Sequence, residues 1–154
     1  MSRLPDTVSG TLVGAYKRYA ERVRALSGGL TDEQFWTKPY PYGNSFGHLV
    51  LHLTGNLNHF IGAEIAETGY VRDREREFTD TAKRPKAEVL REFDAAIGMV
   101  VATLGAQTAE TWSAPYSAHA EYHDRLGIAF HGAAHLYHHV GQMIYLEKEL
   151  TRAR

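Results

Sequence analysis

Residues 135–146 read HLYHHVGQMIYL and place three histidines within five positions of an otherwise apolar stretch. A helix advances about 100° per residue, so residues four and seven apart share a face. On a helix, His135 and His139 therefore share one face with Gln142 and with apolar residues such as Leu146. Burying an unpartnered imidazole costs about 1–3 kcal/mol. The stretch thus indicates either a metal site or a helix with polar residues on its solvent side.

A second stretch, NSFGHLVLHLTGN at residues 44–56, repeats this arrangement. On a helix centred on His52, the same face carries His48, Leu49, Asn56 and His59. Two helices that both direct imidazoles inward can share one divalent ion, which takes the ring lone pairs. His-x₃-His on one helix plus one histidine from another gives three ligands and leaves a position open, as in catalytic zinc sites. The histidines on both helices therefore favour the metal interpretation.

Other histidines and other metal motifs give weaker signals. His131 and His138 lie at the edge of the same face, whereas His59, His119 and His123 are interpreted as ordinary hydrogen-bonded or surface residues. The His-Glu-x₂-His motif of zincin proteases and the Glu-x₂-His motif of ferritin-like bundles are absent. The glycine-rich nucleotide motifs and the Gly-x-Ser-x-Gly elbow are absent as well.

The remaining patterns predict an all-α fold in one domain over residues 1–154. Helices are predicted over 7–26, from Ser45 to about Thr68, after Pro85 to Gly105, and from Asp124 to about Leu150. Thr31 and Gln34 have the spacing of a capping box for a short extra helix. Residues 71–84 alternate in charge and are predicted to be a solvated loop, and residues 106–122 a loop with extended pieces. Four long helices indicate a four-helix bundle.

Composition excludes several function classes. Seventeen basic and eighteen acidic residues leave no basic surface for nucleic acid or an anionic membrane. The chain has no cysteine, which excludes disulfides, cysteine-ligated zinc, iron–sulfur clusters and a cysteine nucleophile. No apolar run is long enough for a transmembrane helix, and the start lacks the pattern of a signal peptide. We expect a cytoplasmic protein.

The two histidine segments resemble those of the DinB-like metal-binding bundle family. Its members typically show an NSxGxLLxHLxGN-like segment and a C-terminal HxxxHxGQ segment, which match residues 44–56 and 135–142 here. The resemblance implies an up-down-down-up four-helix bundle, with residues 69–84 as the long crossover. It also implies one divalent metal per chain, bound by His52, His135 and His139. His48, Asn56, His138 and Gln142 are then candidates to orient the ligands or act in catalysis, with His48 also a candidate fourth ligand.

The same resemblance implies a choice of reactions. Characterised relatives include transferases and isomerases that use low-molecular-weight thiols, and other members are proposed metal-dependent hydrolases. The first hypothesis is transfer of a small thiol, which a divalent ion activates by lowering the thiol's pKa. The second is hydrolysis by metal-bound hydroxide, with His48, His138 or Glu67 as base, although the first interpretation of Glu67 is an ordinary surface residue. The third is a non-catalytic module that the metal only stabilises. Three imidazoles suit zinc or nickel best, and also iron or copper.

The outer side of the last helix indicates a homodimer. Its apolar residues lie roughly opposite His135 and comprise Phe130, Tyr137, Val140 and Ile144. A helix that is apolar on two sides is buried in a core or in an interface. Packing of this side on the first helix or on residues 106–122 is the alternative.

Overall fold

In a computed structural model, which describes residues 3–152, the chain folds into seven α-helices and one π-helical segment. Four are long: α1 (Leu4–Gly28), α3 (Phe46–Leu57), α5 (Lys86–Gly105) and α7 (Arg125–Thr151), and a π-helical segment (Asn58–Ala63) continues α3. Three are short: α2 (Asp32–Trp36), α4 (Arg76–Thr79) and α6 (Ala109–Trp112). Residues 3–152 contain no strand, only an isolated bridge between Pro115 and Asp124. The predicted all-α fold is confirmed.

The helix starts follow the capping chemistry of the sequence. The Thr31 hydroxyl accepts from the Gln34 backbone while the Gln34 side chain accepts from the Thr31 backbone, so the predicted capping box starts α2. Ser45 caps α3 by accepting from the His48 backbone, and Asp124 caps α7 in the same way from Gly127. These caps satisfy N–H groups that have no partner within the helix.

Contacts between the four long helices give the direction of each. Lys86 at the start of α5 donates to the backbone of Ser27 at the end of α1, so these helices are antiparallel. Tyr16 of α1 donates to Ala129 early in α7, and Gly29 lies near Glu147 late in it, so α1 and α7 run parallel. Helix α3 runs antiparallel to α7 and parallel to α5, which requires residues 64–85 to return the chain along the bundle. This is the predicted up-down-down-up bundle with a long crossover.

The core lies between the four long helices. The apolar residues of α5 that recur every three or four positions are all buried: Val89, Phe93, Ile97, Val100 and Leu104. On α7 the residues turned to the core are chiefly Ile128, Ala129, Leu136, Val140 and Met143. Val140 is therefore a core residue rather than part of the outer face predicted for it. The histidines of α7 lie beside this stripe, at the edge of the core.

Three predicted segments differ from the structure. The helix expected to reach Thr68 changes to π-helical hydrogen bonding at Asn58 and ends at Ala63. Residues 71–84, expected to be a solvated loop, include α4 and bury Glu77. Residues 106–122 include α6, which begins with a capping box between Thr108 and Thr111. Within residues 3–152, no helix combines the length and the apolar character that crossing a bilayer requires.

Candidate metal centre

Three histidines meet at the groove between α3 and α7. His52 Nε2 and His139 Nε2 each lie 3.1 Å from His135 Nε2. The three rings are nearly perpendicular to one another, with interplanar angles of 80°, 83° and 88°. Their edges therefore meet, rather than their faces. We refer to His52, His135 and His139 as the three-histidine group.

The imidazole of His52 is fixed from behind by a buried carboxylate. His52 Nδ1 donates to Glu77 Oε2 at 2.9 Å, and the Glu77 side chain is only 6% exposed. Arg72 in turn donates to both Glu77 oxygens, from Nε at 2.7 Å and from Nη2 at 2.9 Å. A proton on Nδ1 leaves Nε2 with a free lone pair that points at the other two histidines.

Close packing makes room for this carboxylate. A Cβ atom on Gly55 would overlap the Glu77 carboxyl, closer than any real Cβ contact, so glycine is required there. Phe78 packs on the His52 ring with 4.7 Å between ring centroids. Both Glu77 and Phe78 belong to α4, so the crossover between α3 and α5 closes one side of the site.

The two histidines of α7 differ in how their second nitrogen is satisfied. His139 Nδ1 donates to Gln142 Oε1 at 2.7 Å, which fixes its tautomer with Nε2 unprotonated. His135 Nδ1 is buried and has no hydrogen-bond partner among the described residues. His131, one turn earlier, stacks on His135 with 5.9 Å between ring centroids and also contacts His119 and Tyr122.

The electrostatics keep these imidazoles neutral. Burial, and after it the charges of the neighbouring histidines, lower the pKa of His135 to about 3. Burial also lowers the pKa of His139 to about 4, although the bond to Gln142 opposes the shift. Burial alone would raise the pKa of the Glu77 carboxyl, but hydrogen bonds from His52 and Arg72 and the Arg72 charge outweigh it, so the pKa is lowered. At neutral pH the site therefore offers two neutral imidazoles on α7, His135 and His139, beside a buried carboxylate.

The donor set and its spacing fit a divalent ion. A tetrahedral zinc site has metal–nitrogen distances of about 2.0–2.1 Å, which places ligand nitrogens about 3.3–3.4 Å apart. The 3.1 Å separations here are close to that value. The candidate ligand atoms of His52, His135 and His139 all lie within 4.8 Å of one another. This three-histidine group could hold a metal ion.

The other candidate residues are placed apart from these nitrogens. Both ring nitrogens of His48 are engaged, Nδ1 with Ser45 Oγ at 2.7 Å and Nε2 with the Asp80 carbonyl at 2.8 Å. His48 therefore ties the crossover to α3, and both of its ring nitrogens are occupied by hydrogen bonds. His138 is exposed and touches only the outer side of the His139 ring, with 5.0 Å between centroids.

Asn56 and Glu67 are also separate from the three nitrogens. Asn56 lies one turn beyond His52 and is buried, and its carboxamide forms no hydrogen bond with the described residues. Glu67 is exposed in the turn after the π-helical segment, with φ of 54°. It forms no hydrogen bond or ion pair within residues 3–152, and its role as a general base stays a prediction.

Glu77 and Arg72 are the site residues that the sequence patterns did not identify. They lie in a segment whose alternating charges are typical of a solvated surface. One signal was available: a buried metal-binding histidine generally donates its second N–H to a carboxylate or a carbonyl. Helix α3 offers no carboxylate on the His52 face, so the acceptor had to come from another segment.

Comparison with known proteins identifies the family of the chain. The sequence model of the DinB superfamily matches residues 15–143, most of the chain, and this range contains all three histidines and Glu77. None of the curated proteins matches the chain. Since the match covers well over half of its length, the chain belongs to the DinB superfamily.

Proposed function

We propose that this protein is a metal-dependent enzyme that transfers a small thiol to an organic electrophile. The observation that carries the proposal is the convergence of three Nε2 atoms, two of which are held in the metal-binding tautomer by Glu77 and Gln142. A divalent ion bound there would lower the pKa of a coordinated thiol and supply a thiolate at neutral pH. The chain has no cysteine, so the thiol must be a cosubstrate.

The chain's own residues support this chemistry in two ways. His135 and His139 are only half-buried, so small molecules can approach the group from the groove. The low pKa values of both rings keep their lone pairs free of protons at neutral pH. Zinc and nickel are the proposed metals because neutral imidazoles suit both, and iron is a further candidate. We place the enzyme in the cytoplasm.

We expect turnover that requires both the three-histidine group and an added thiol. Metal-loaded protein is incubated with 1-chloro-2,4-dinitrobenzene and, in turn, 2-mercaptoethanol, cysteine or glutathione. The thiolate sulfur bonds to the ring carbon, chloride leaves with the bonding electrons, and the thiol proton goes to the buffer. We expect the product to form at least about a hundredfold faster than without enzyme, a modest acceleration for an enzyme. The rate should return to background in His135→Ala.

Two results would contradict this function. Hydrolysis of a nitrophenyl ester by the loaded protein without any thiol would instead assign the group to a hydrolase. Absence of both reactions at full metal occupancy would make the protein a metal-stabilised module without catalysis. A metal measurement on each sample separates these results from simple loss of the ion.

We also propose that the protein is a homodimer through the outer face of α7. Phe130 and Tyr137 on this face are 64% and 62% exposed. Large apolar side chains exposed together are typical of interaction surfaces. Light scattering after size exclusion should give about twice the 17.3 kDa chain mass, and Phe130→Glu with Tyr137→Glu should give the single-chain mass. A single-chain mass for the unaltered protein would contradict the dimer.

A further inference from the structure

We propose that a small pocket beside the three-histidine group binds an uncharged aromatic ring of the protein's organic substrate. Tyr40 and Tyr42 supply one wall from the loop before α3, and Tyr145 and Leu146 of α7 supply another. Leu49 of α3 also lines the pocket, whose volume is about 260 Å³. We refer to it as the tyrosine pocket. Its role as a substrate site rests on the proposed function, whereas its affinity for an aromatic ring does not.

The tyrosine pocket lies directly next to the candidate metal centre. Gln142 lines the pocket, and its Oε1 accepts from His139 Nδ1 at 2.7 Å. Leu49 precedes His52 by three residues, which is about 5 Å along the helix. A ring held in the pocket would therefore lie within about one helical turn of two members of the three-histidine group.

The chemistry of the lining favours a flat, uncharged ligand. Three phenol rings and two leucines supply most of it, and none of the described residues that line it carries a charge. The rings of Tyr40 and Tyr42 are nearly parallel, with an interplanar angle of 8° and 5.5 Å between centroids. Aromatic rings pair by offset stacking or edge contact. An ionic ligand would find no counter-charge here.

The polar atoms at the edge of the pocket favour a hydrogen-bond acceptor on that ring. Asn44 is half-buried, and its side chain forms no hydrogen bond with the described residues. The amide nitrogen of Gln142 is likewise without a partner in residues 3–152, because only its oxygen is bonded to His139. Both amides can donate to a neutral nitro or carbonyl oxygen. Ligand pockets usually measure about 300–1,000 Å³, so this one suits a single ring rather than a whole large ligand.

The test uses three nitro compounds: nitrobenzene and nitrocyclohexane, which are matched in size, and 4-nitrobenzoate, which adds a negative charge. Their dissociation constants are measured by saturation-transfer NMR on wild type, Tyr145→Leu and Tyr137→Leu. Tyr145 is 71% exposed and Tyr137 62%, so both replacements leave the core intact, and Tyr137 lies outside the pocket. We expect nitrobenzene to bind best, and Tyr145→Leu to weaken its binding about two- to tenfold, the range for loss of one aromatic pair. Tyr137→Leu should leave it unchanged.

Equal affinity of nitrobenzene and nitrocyclohexane, or equal effects of the two tyrosine replacements, would overturn the proposal. Repeating the titration with His135→Ala tests the tyrosine pocket independently of the proposed function. The pocket should bind nitrobenzene with the wild-type affinity even when His135 is absent. Nitrobenzene binding by metal-loaded wild type that shows no thiol turnover would contradict the proposed function alone. Thiol turnover whose KM for 1-chloro-2,4-dinitrobenzene is unchanged in Tyr145→Leu would contradict the pocket alone.

Discussion

Replacing His135 with alanine should remove the metal from this protein. Untagged wild type should carry about one divalent ion per chain, since three imidazoles with one open position form a complete catalytic-type ligand set. His135 Nε2 is the central nitrogen, 3.1 Å from both of the others, so its loss leaves two ligands on different helices. Loss of a residue that merely orients a ligand already weakens binding about 10–100-fold. Loss of the ligand should weaken it by at least about a hundredfold.

Elemental mass spectrometry on wild type, His135→Ala and His138→Ala measures this effect. His138 is the matched control because it is an exposed histidine on the same helix and lies outside the three-histidine group. We expect His138→Ala to keep the wild-type metal content. Wild type that stays metal-free after incubation with zinc or nickel would make the histidines a buried polar network and remove the chemical basis of the proposed enzyme.

Much of the fold was predictable because it depends on local chemistry. The capping box at Thr31 and Gln34 and the Asp124 cap follow from residue type and spacing alone. The stripe from Val89 to Leu104 follows from the helical period. His52, His135 and His139 were selected by the same geometry, assisted by family resemblance, and the structure brings them together.

The parts that were not predictable depend on contacts between distant segments. The helical period of residues 44–68 does not locate the shift to π-helical hydrogen bonding at Asn58, since such segments are rare and mostly a single turn long. His48 lies on the helix face expected of a ligand, yet its Nε2 is hydrogen-bonded to the carbonyl of Asp80, 32 residues away in the sequence. The helical period identifies which side chains point inward, but it does not identify the partner that each side chain contacts.

Glu77 is the strongest case of such a distant contact, since its carboxylate is shared between His52 and Arg72. Arg72 and Glu77 are 11% and 6% exposed, so they form a buried ion pair. Such a pair contributes little net stability while intact, but removing one partner costs about 3–5 kcal/mol. The pair is therefore better explained by the position it gives to the His52 ring than by stability. Gly55 is part of the same arrangement, because a side chain at that position would overlap the Glu77 carboxyl.

Glu77→Gln should therefore weaken metal binding about 10–100-fold, the range for loss of a carboxylate behind a metal-binding histidine. It should also lower the free energy of unfolding by about 3 kcal/mol, because Arg72 remains buried without a counter-charge. Zinc titration against a competing chelator and urea unfolding measure the two effects, with the exposed Glu21→Gln as the matched control. Gly55→Ala provides a second variant that keeps every charge but displaces the Glu77 carboxyl, and it should weaken zinc binding as well. If folded Glu77→Gln and Gly55→Ala both bind zinc as tightly as Glu21→Gln, Glu77 only stabilises the crossover and has no part in orienting His52.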